Sequence, residues 1–161
     1  MAESVAFASS SKPERYAELL PQLASLVDGE PDLVANLANL TAAIRACVPT
    51  ASWVGFYIAR GGELVLGPFQ GNVACVRITL GRGVCGTAAA ERRTLIVPDV
   101  EKFAGHIACD AGSRSEIVVP VVRGGEVVAV LDVDSYELAA FDAVDAEWLG
   151  KVAELCATFA W

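Results

Sequence analysis

Residues 116–135 limit the possible folds more than any other stretch. Two apolar runs, 116–122 and 126–134, flank the pair Gly124-Gly125, a pattern that predicts a β-hairpin. The second run stays apolar on both faces until Asp132 and Asp134, so it is expected as a central strand covered on both sides. Another pair, Gly61-Gly62, predicts a hairpin between strands 51–60 and 63–66, and short strands follow at 75–80 and 94–97. Alternation in 51–60 puts Trp53, Gly55 and Tyr57 on one face and Val54, Phe56 and Ile58 on the other. A glycine between two rings is expected to leave a gap with aromatic walls. Segments 67–72 and 98–110 read as irregular.

Helices are predicted at both ends. Leu19, Leu20, Leu23 and Leu26 repeat at helical spacing in 12–27, where Pro21 should kink or split the helix. Pro31 is placed in the first turn of a second helix, 31–47, with Leu33, Val34, Leu37, Leu40 and Ile44 as its stripe. A short helix follows the GRG turn from residue 84 to 92. The last helix takes Asp142 as its cap, with Val144, Trp148, Val152, Leu155 and Phe159 as its stripe. Terminal helices around hairpin-connected strands make an α+β fold, an antiparallel sheet with helices packed on one face. The 161 residues are expected to form one domain, 1–161, with a loose N-terminal arm at 1–11.

Charge and cysteine usage narrow the functions. The net charge of −8, without a run of Lys or Arg, argues against a nucleic-acid partner. No apolar run reaches the roughly 18 residues of a membrane span, and the N-terminus lacks the basic and apolar regions of a secretory signal. A cytoplasmic location is expected. Five cysteines do not suit a secreted disulfide scaffold; in a reducing compartment a disulfide is transient, catalytic or redox-sensing.

The chemistry-bearing residues gather between residues 67 and 135. Cys47 and Cys156 fall on apolar helical faces, where burial is expected, whereas Cys75, Cys85 and Cys109 fall at strand ends and turns. Cys75, Cys85, His106 and Cys109 together would make a zinc donor set, but only His106 and Cys109 are paired closely enough, so no metal is expected. Asp132 and Asp134 share one face of an apolar strand, and Glu116 opens its neighbour. Three converging acids would grip an ammonium group and raise one another's pKa, or else pair with Arg114 or Arg123. The helix start at Val84-Cys85, among Gly81, Gly83 and Gly86, offers backbone N–H groups to an anion and would stabilise a Cys85 thiolate.

Several ordered motifs carry a resemblance covering nearly the whole chain. They are WVGFY (53–57), LGPFQG (66–71), ACVRI (74–78), GRGVCGTAA (81–89), GHIACDA (105–111), SEIV (115–118), LDVDS (131–135) and FDAVDAEWL (141–149). With them the chain resembles the free methionine-(R)-sulfoxide reductases, built on the GAF domain. Pro21, Thr79 before GRG and the 136–140 segment depart from the pattern. The resemblance implies a GAF-like six-stranded antiparallel sheet with helices on one side. It also implies a thioredoxin-dependent enzyme that reduces free methionine-(R)-sulfoxide and so repairs oxidised methionine. No bound cofactor is implied, since electrons arrive from thioredoxin and indirectly from NADPH; a homodimer is compatible with the family.

By the same resemblance Cys109 attacks the sulfoxide, Cys75 resolves the sulfenic acid, and Cys85 lies in the pocket and takes part in disulfides. Glu116, Asp132 and Asp134 bind and activate the substrate, and Trp53 and Tyr57 meet its methyl end. His106, Arg114 or the substrate's ammonium would offset the effect of these acids on Cys109. A GAF-type sensor that binds a small molecule or reads redox state without turnover is the alternative, yet it would not need all three cysteines together with all three acids.

Overall fold

The structure, a computed structural model, describes residues 4–107 and 109–161. Two helices lead, α1 (Lys12–Val27) and α2 (Leu33–Cys47), followed by strands β1 (Ala51–Arg60), β2 (Glu63–Gln70) and β3 (Arg77–Thr79). Helix α3 (Gly83–Glu91) and strand β4 (Leu95–Val97) come next, then a 3-10 turn (Val100–Lys102). The hairpin β5 (Ser115–Arg123) and β6 (Glu126–Ser135) precedes α4 (Ala143–Cys156). The six strands form one antiparallel sheet in the order β3-β2-β1-β6-β5-β4. The α+β class, the antiparallel sheet and the central place of β6 are as the sequence predicts.

Both faces of the sheet are covered, by different layers. Val54, Phe56, Ile117, Val119, Leu131 and Val133 pack under α1, α2 and α4 in the larger core. Trp53, Tyr57, Val118 and Val130 face the other way and meet Val84, Cys85, Ala88 and Ala89 of α3. Three helices therefore share one face, and α3 alone crosses to the opposite one. That exception makes the site, because α3 lies over the strand positions that carry the acids.

Local departures from the expected elements have physical causes. Helix α1 runs unbroken through Pro21, because the carbonyl that the proline leaves without a partner, that of Ala17, is on an exposed residue. Asp32, not Pro31, opens α2: its carboxylate accepts the Ala35 N–H at 2.8 Å, and Val34 turns outward, 58% exposed. Strand β2 continues past residue 66, through Gly67 and Pro68, to Gln70. It does so at a β-bulge, where the register slips opposite Gly55–Tyr57, so the missing proline N–H costs no regular ladder bond. Strand β3 starts at Arg77 rather than Cys75, whose carbonyl accepts from the Tyr57 hydroxyl and whose sulfur is bonded to Cys109.

On α4 the inward stripe is Leu149, Val152, Ala153 and Cys156, while Trp148 is only partly buried and stacks on Tyr16 at 6.2 Å. Asp142 caps this helix in a reciprocal box with Asp145, whose buried carboxylate also accepts from Tyr16 at 2.8 Å and pairs with Lys12. Residues 4–11 are not a loose arm. Ala6 and Ala8 donate their N–H groups to Gln22 and Glu18, and Phe7 lies under Arg15. Met1–Glu3 of that arm lie outside the described residues. No helix among the described residues is long and apolar enough to cross a membrane.

Cys47 and Cys156 are buried in the larger core, as their helical spacing predicts. Replacing Cys156 with alanine should cost about 1 kcal/mol of stability through lost contacts and leave turnover unchanged. Denaturant melts beside steady-state kinetics check this, and a large kinetic loss in a folded variant would contradict a purely packing role.

Candidate active site

Cross-strand register brings the site together. Trp53 of β1 lies opposite Asp134 of β6, and Asp134 lies opposite Glu116 of β5; one step along, Gly55 faces Asp132 and Asp132 faces Val118. Residues directly opposite on adjacent antiparallel strands share a face, so two aromatics and three acids form one wall. Helix α3 supplies the facing wall. It packs tightly on the end of β3 because residue 86 is glycine: a Cβ there would sit 2.3 Å from the Thr79 carbonyl oxygen.

Gly55 does not leave an open gap between rings. The Trp53 ring folds back over it, such that a Cβ at 55 would lie 2.2 Å from that indole, with Phe69 closing the far side. The two pocket aromatics also hold the loop that carries Cys75. The Trp53 indole N–H donates to the Asn72 carbonyl at 3.0 Å, and the Tyr57 hydroxyl donates to the Cys75 carbonyl at 3.0 Å.

Cys75 and Cys109 form a disulfide with their Cα atoms 5.2 Å apart, across 34 residues of sequence. Cys109 lines the cleft with Cys85, Glu116, Asp132, Asp134 and His106, whereas Cys75 stands outside the lining. The zinc set weighed from the sequence cannot assemble in this state, because two of its thiols are joined to each other. Cys85 is a free, buried thiol 3.8 Å from the Glu116 carboxyl. The loops bearing the disulfide are tied outside the cleft by Tyr136, whose hydroxyl donates to Asp110 at 2.9 Å and accepts from Asn72 at 3.0 Å. Asn72, Asp110 and Tyr136 were not flagged by sequence reasoning, and no local pattern marks them, being 26–64 residues apart.

Glu116 and Asp132 are buried and Asp134 is half-buried, and none of the three has a basic partner among the described residues. Among the described residues no ion pair joins Glu116, Asp132 or Asp134 to Arg114 or Arg123; the Arg123 guanidinium donates instead to the Phe159 carbonyl. Burial, then the charges of Asp132 and Asp134, hold the Glu116 carboxyl well above the usual range. Burial followed by the Asp132 charge does the same for Asp134. Burial also raises Asp132, to about 7, although the neighbouring Cys85 thiol and Glu116 carboxyl pull it the other way. The Cys85 thiol is pushed well above its normal value by burial and then by Asp132 and Glu116. It stays protonated, which corrects the expectation of a thiolate at this helix start. The amides of Gly83, Val84 and Cys85 have no partner among the described residues, while that of Gly86 closes the first turn on Arg82.

A carboxyl with a raised folded pKa binds its proton more tightly folded than unfolded. Stability therefore falls as pH rises from about 4, the ordinary value, to about 7, and the penalty is complete above that. Asp132→Asn should stabilise the protein by about 1–3 kcal/mol at pH 8, with no gain below pH 4. Thermal melts across that range check it, and a gain independent of pH would show that ionisation is not the cause.

Residues 32–159 match the GAF domain family. The chain is 52% identical over 156 residues to GAF domain-containing protein A of Dictyostelium discoideum, covering 96% of this chain and 98% of that protein. It is 44% identical to the free methionine-R-sulfoxide reductase of Saccharomyces cerevisiae, over 96% and 91% of the two chains. The crystal structure of free methionine-R-sulfoxide reductase from Neisseria meningitidis, in complex with its substrate, superposes with a TM-score of 0.93 at 48% identity, covering 96% and 93%.

Proposed function

Since the chain belongs to the GAF-domain family of free methionine-R-sulfoxide reductases and reduces free methionine-R-sulfoxide to methionine, we propose that Cys109 is the attacking thiol, Cys75 the resolving one, and the buried carboxyls the proton source. The observation that carries these roles is Cys109 on the cleft wall, joined by a disulfide to Cys75, which does not line the cleft.

The Cys109 thiolate attacks the sulfoxide sulfur while a carboxyl among Glu116, Asp132 and Asp134 protonates the departing oxygen. Burial favours the protonated form of each of these carboxyls, and Asp132 at about 7 can give a proton near neutral pH, as a general acid must. The substrate sulfur is reduced by two electrons as its bond to oxygen breaks, methionine leaves, and the Cys109 sulfur takes up the oxygen and is oxidised by two electrons to a sulfenic acid. The Cys75 thiol then displaces its hydroxyl as water, forming the disulfide. An external dithiol of the thioredoxin type returns both cysteines to thiols by exchange in a reducing cytoplasm. Cys85, protonated and turned to Glu116, is placed to support the acid rather than to attack.

Substrate enters the dithiol form. With the disulfide closed the cleft offers only about 40 Å³ of free space, room for a few waters. The Tyr57 and Trp53 tethers keep the Cys75 backbone in place for capture while the sulfur atoms are apart. The assignment is tested with Cys75→Ser, pre-reduced: it should form one methionine per protein, at close to the wild-type first-turnover rate, and then stop with thioredoxin present. Continued turnover by this variant would remove Cys75 from the resolving role.

A further inference from the structure

Cys85 of α3, Glu116 of β5 and Asp132 of β6 form a unit that sulfoxide reduction does not use in full. One ligand atom from each, the thiol sulfur and two carboxyl oxygens, lies within 4.8 Å of the others, and all three side chains are buried. Asp132 is only 5% exposed, yet its Oδ1 has no hydrogen-bond partner among the described residues. Among the described residues no Lys or Arg lines the cleft, and His106 on its wall is disfavoured in its charged form by burial. A substrate ammonium answers the carboxyls but gives the thiol sulfur no partner of its own. A borderline-soft metal ion answers all three, because thiolate and carboxylate are both among its ordinary ligands.

We propose that Cys85, Glu116 and Asp132 bind a thiophilic divalent cation of the Zn²⁺ type, and that the bound ion excludes the substrate. Metal–ligand bonds of about 2.0–2.3 Å bring tetrahedral ligands to roughly 3.5 Å separations, which small rotamer changes reach from the present spacing. Each bond replaces a proton on the thiol or a carboxyl, so ion uptake releases protons and weakens as pH falls. Three protein ligands leave a fourth position open toward the cleft. The sulfur selects against Mg²⁺ and Ca²⁺, which take oxygen ligands. Because Cys85 stands outside the Cys75–Cys109 disulfide, the ion binds in either redox state. Exclusion of substrate rests on the reading that Glu116 and Asp132 hold its ammonium; binding of the ion does not.

The test uses the Cys75→Ser/Cys109→Ser double variant, in which Cys85 is the remaining thiol of the site, titrated with Co²⁺ and read by near-ultraviolet thiolate-to-cobalt charge transfer. One equivalent should bind, Zn²⁺ should displace it, and adding Cys85→Ser should abolish the band. Glu116→Gln should weaken binding by more than the roughly 10–100-fold that loss of an outer-shell partner costs. A second arm follows single turnover of pre-reduced Cys75→Ser without free dithiol, where Zn²⁺ should raise the sulfoxide concentration giving half-maximal rate and leave the maximal rate unchanged. No band, or one that survives Cys85→Ser, overturns the metal site. A band that behaves as expected beside an unshifted half-maximal concentration overturns the exclusion of substrate and, with it, the ammonium role of these acids.

Discussion

Cys109→Ser should lower kcat/KM for free methionine sulfoxide by on the order of 10⁴-fold or more, with the fold intact. Serine lacks a soft, ionisable nucleophile, and attack on sulfur has no other candidate in the cleft. Among the described residues that line it Cys85 is the other thiol, and burial, then the charges of Asp132 and Glu116, disfavour its thiolate. Cys75 stands outside the lining, and Cys47 and Cys156 lie in the core on the far face of the sheet. The measurement is methionine released in single-turnover and steady-state assays, with circular dichroism to verify folding. Activity within tenfold of wild type would transfer the nucleophile's role to Cys85, and Cys85→Ser in the same background would then remove it.

Discrimination against blocked substrates should be nearly as large. Free methionine sulfoxide carries an ammonium and a carboxylate, and the cleft holds complements to both: the three acids, and the unpartnered amides of Gly83, Val84 and Cys85. An N-acetylated or peptide-bound sulfoxide would leave buried polar groups without partners, and Asp132 already has one such oxygen. A site built on such bonds rejects an analogue lacking them by about 10⁴-fold, whereas fit of a methyl group against Trp53 and Tyr57 is worth about 1–3 kcal/mol. We expect kcat/KM to fall by about 10⁴ from the free to the N-acetyl form. Asp132→Asn and Asp134→Asn should narrow that gap by slowing the free substrate. Equal kcat/KM on free, N-acetyl and peptide-bound sulfoxide would remove the ammonium-binding role of these acids.

Legibility in the sequence followed the range of each interaction. The β5–β6 hairpin, the central place of β6, the Asp142 cap and the burial of Cys47 and Cys156 were readable because each is written in neighbouring residues, as a glycine pair, an alternation or a helical repeat. The strand limits were less so: the bulge that lets Gly67 and Pro68 stay in β2 depends on β1, which local pattern does not include. Cys75, Cys85, Cys109 and the three acids were singled out by residue type and by resemblance, without their mutual geometry.

What the chain determined by itself was therefore its elements, its hairpins and the alternation that sends Trp53 and Tyr57 to one face of β1 and Asp132 and Asp134 to one face of β6; the register that makes those faces one wall with Glu116 is tertiary. Tertiary structure alone decided that α3 crosses to that face, that Cys85 is enclosed and protonated while Cys109 reaches the cleft wall, and that Tyr57 and Tyr136 tether the loops of the disulfide. The reason is physical. Periodicity and turn chemistry are set by residues a few positions apart, whereas burial, proton affinity and loop closure depend on partners brought together from 18 to 64 positions away.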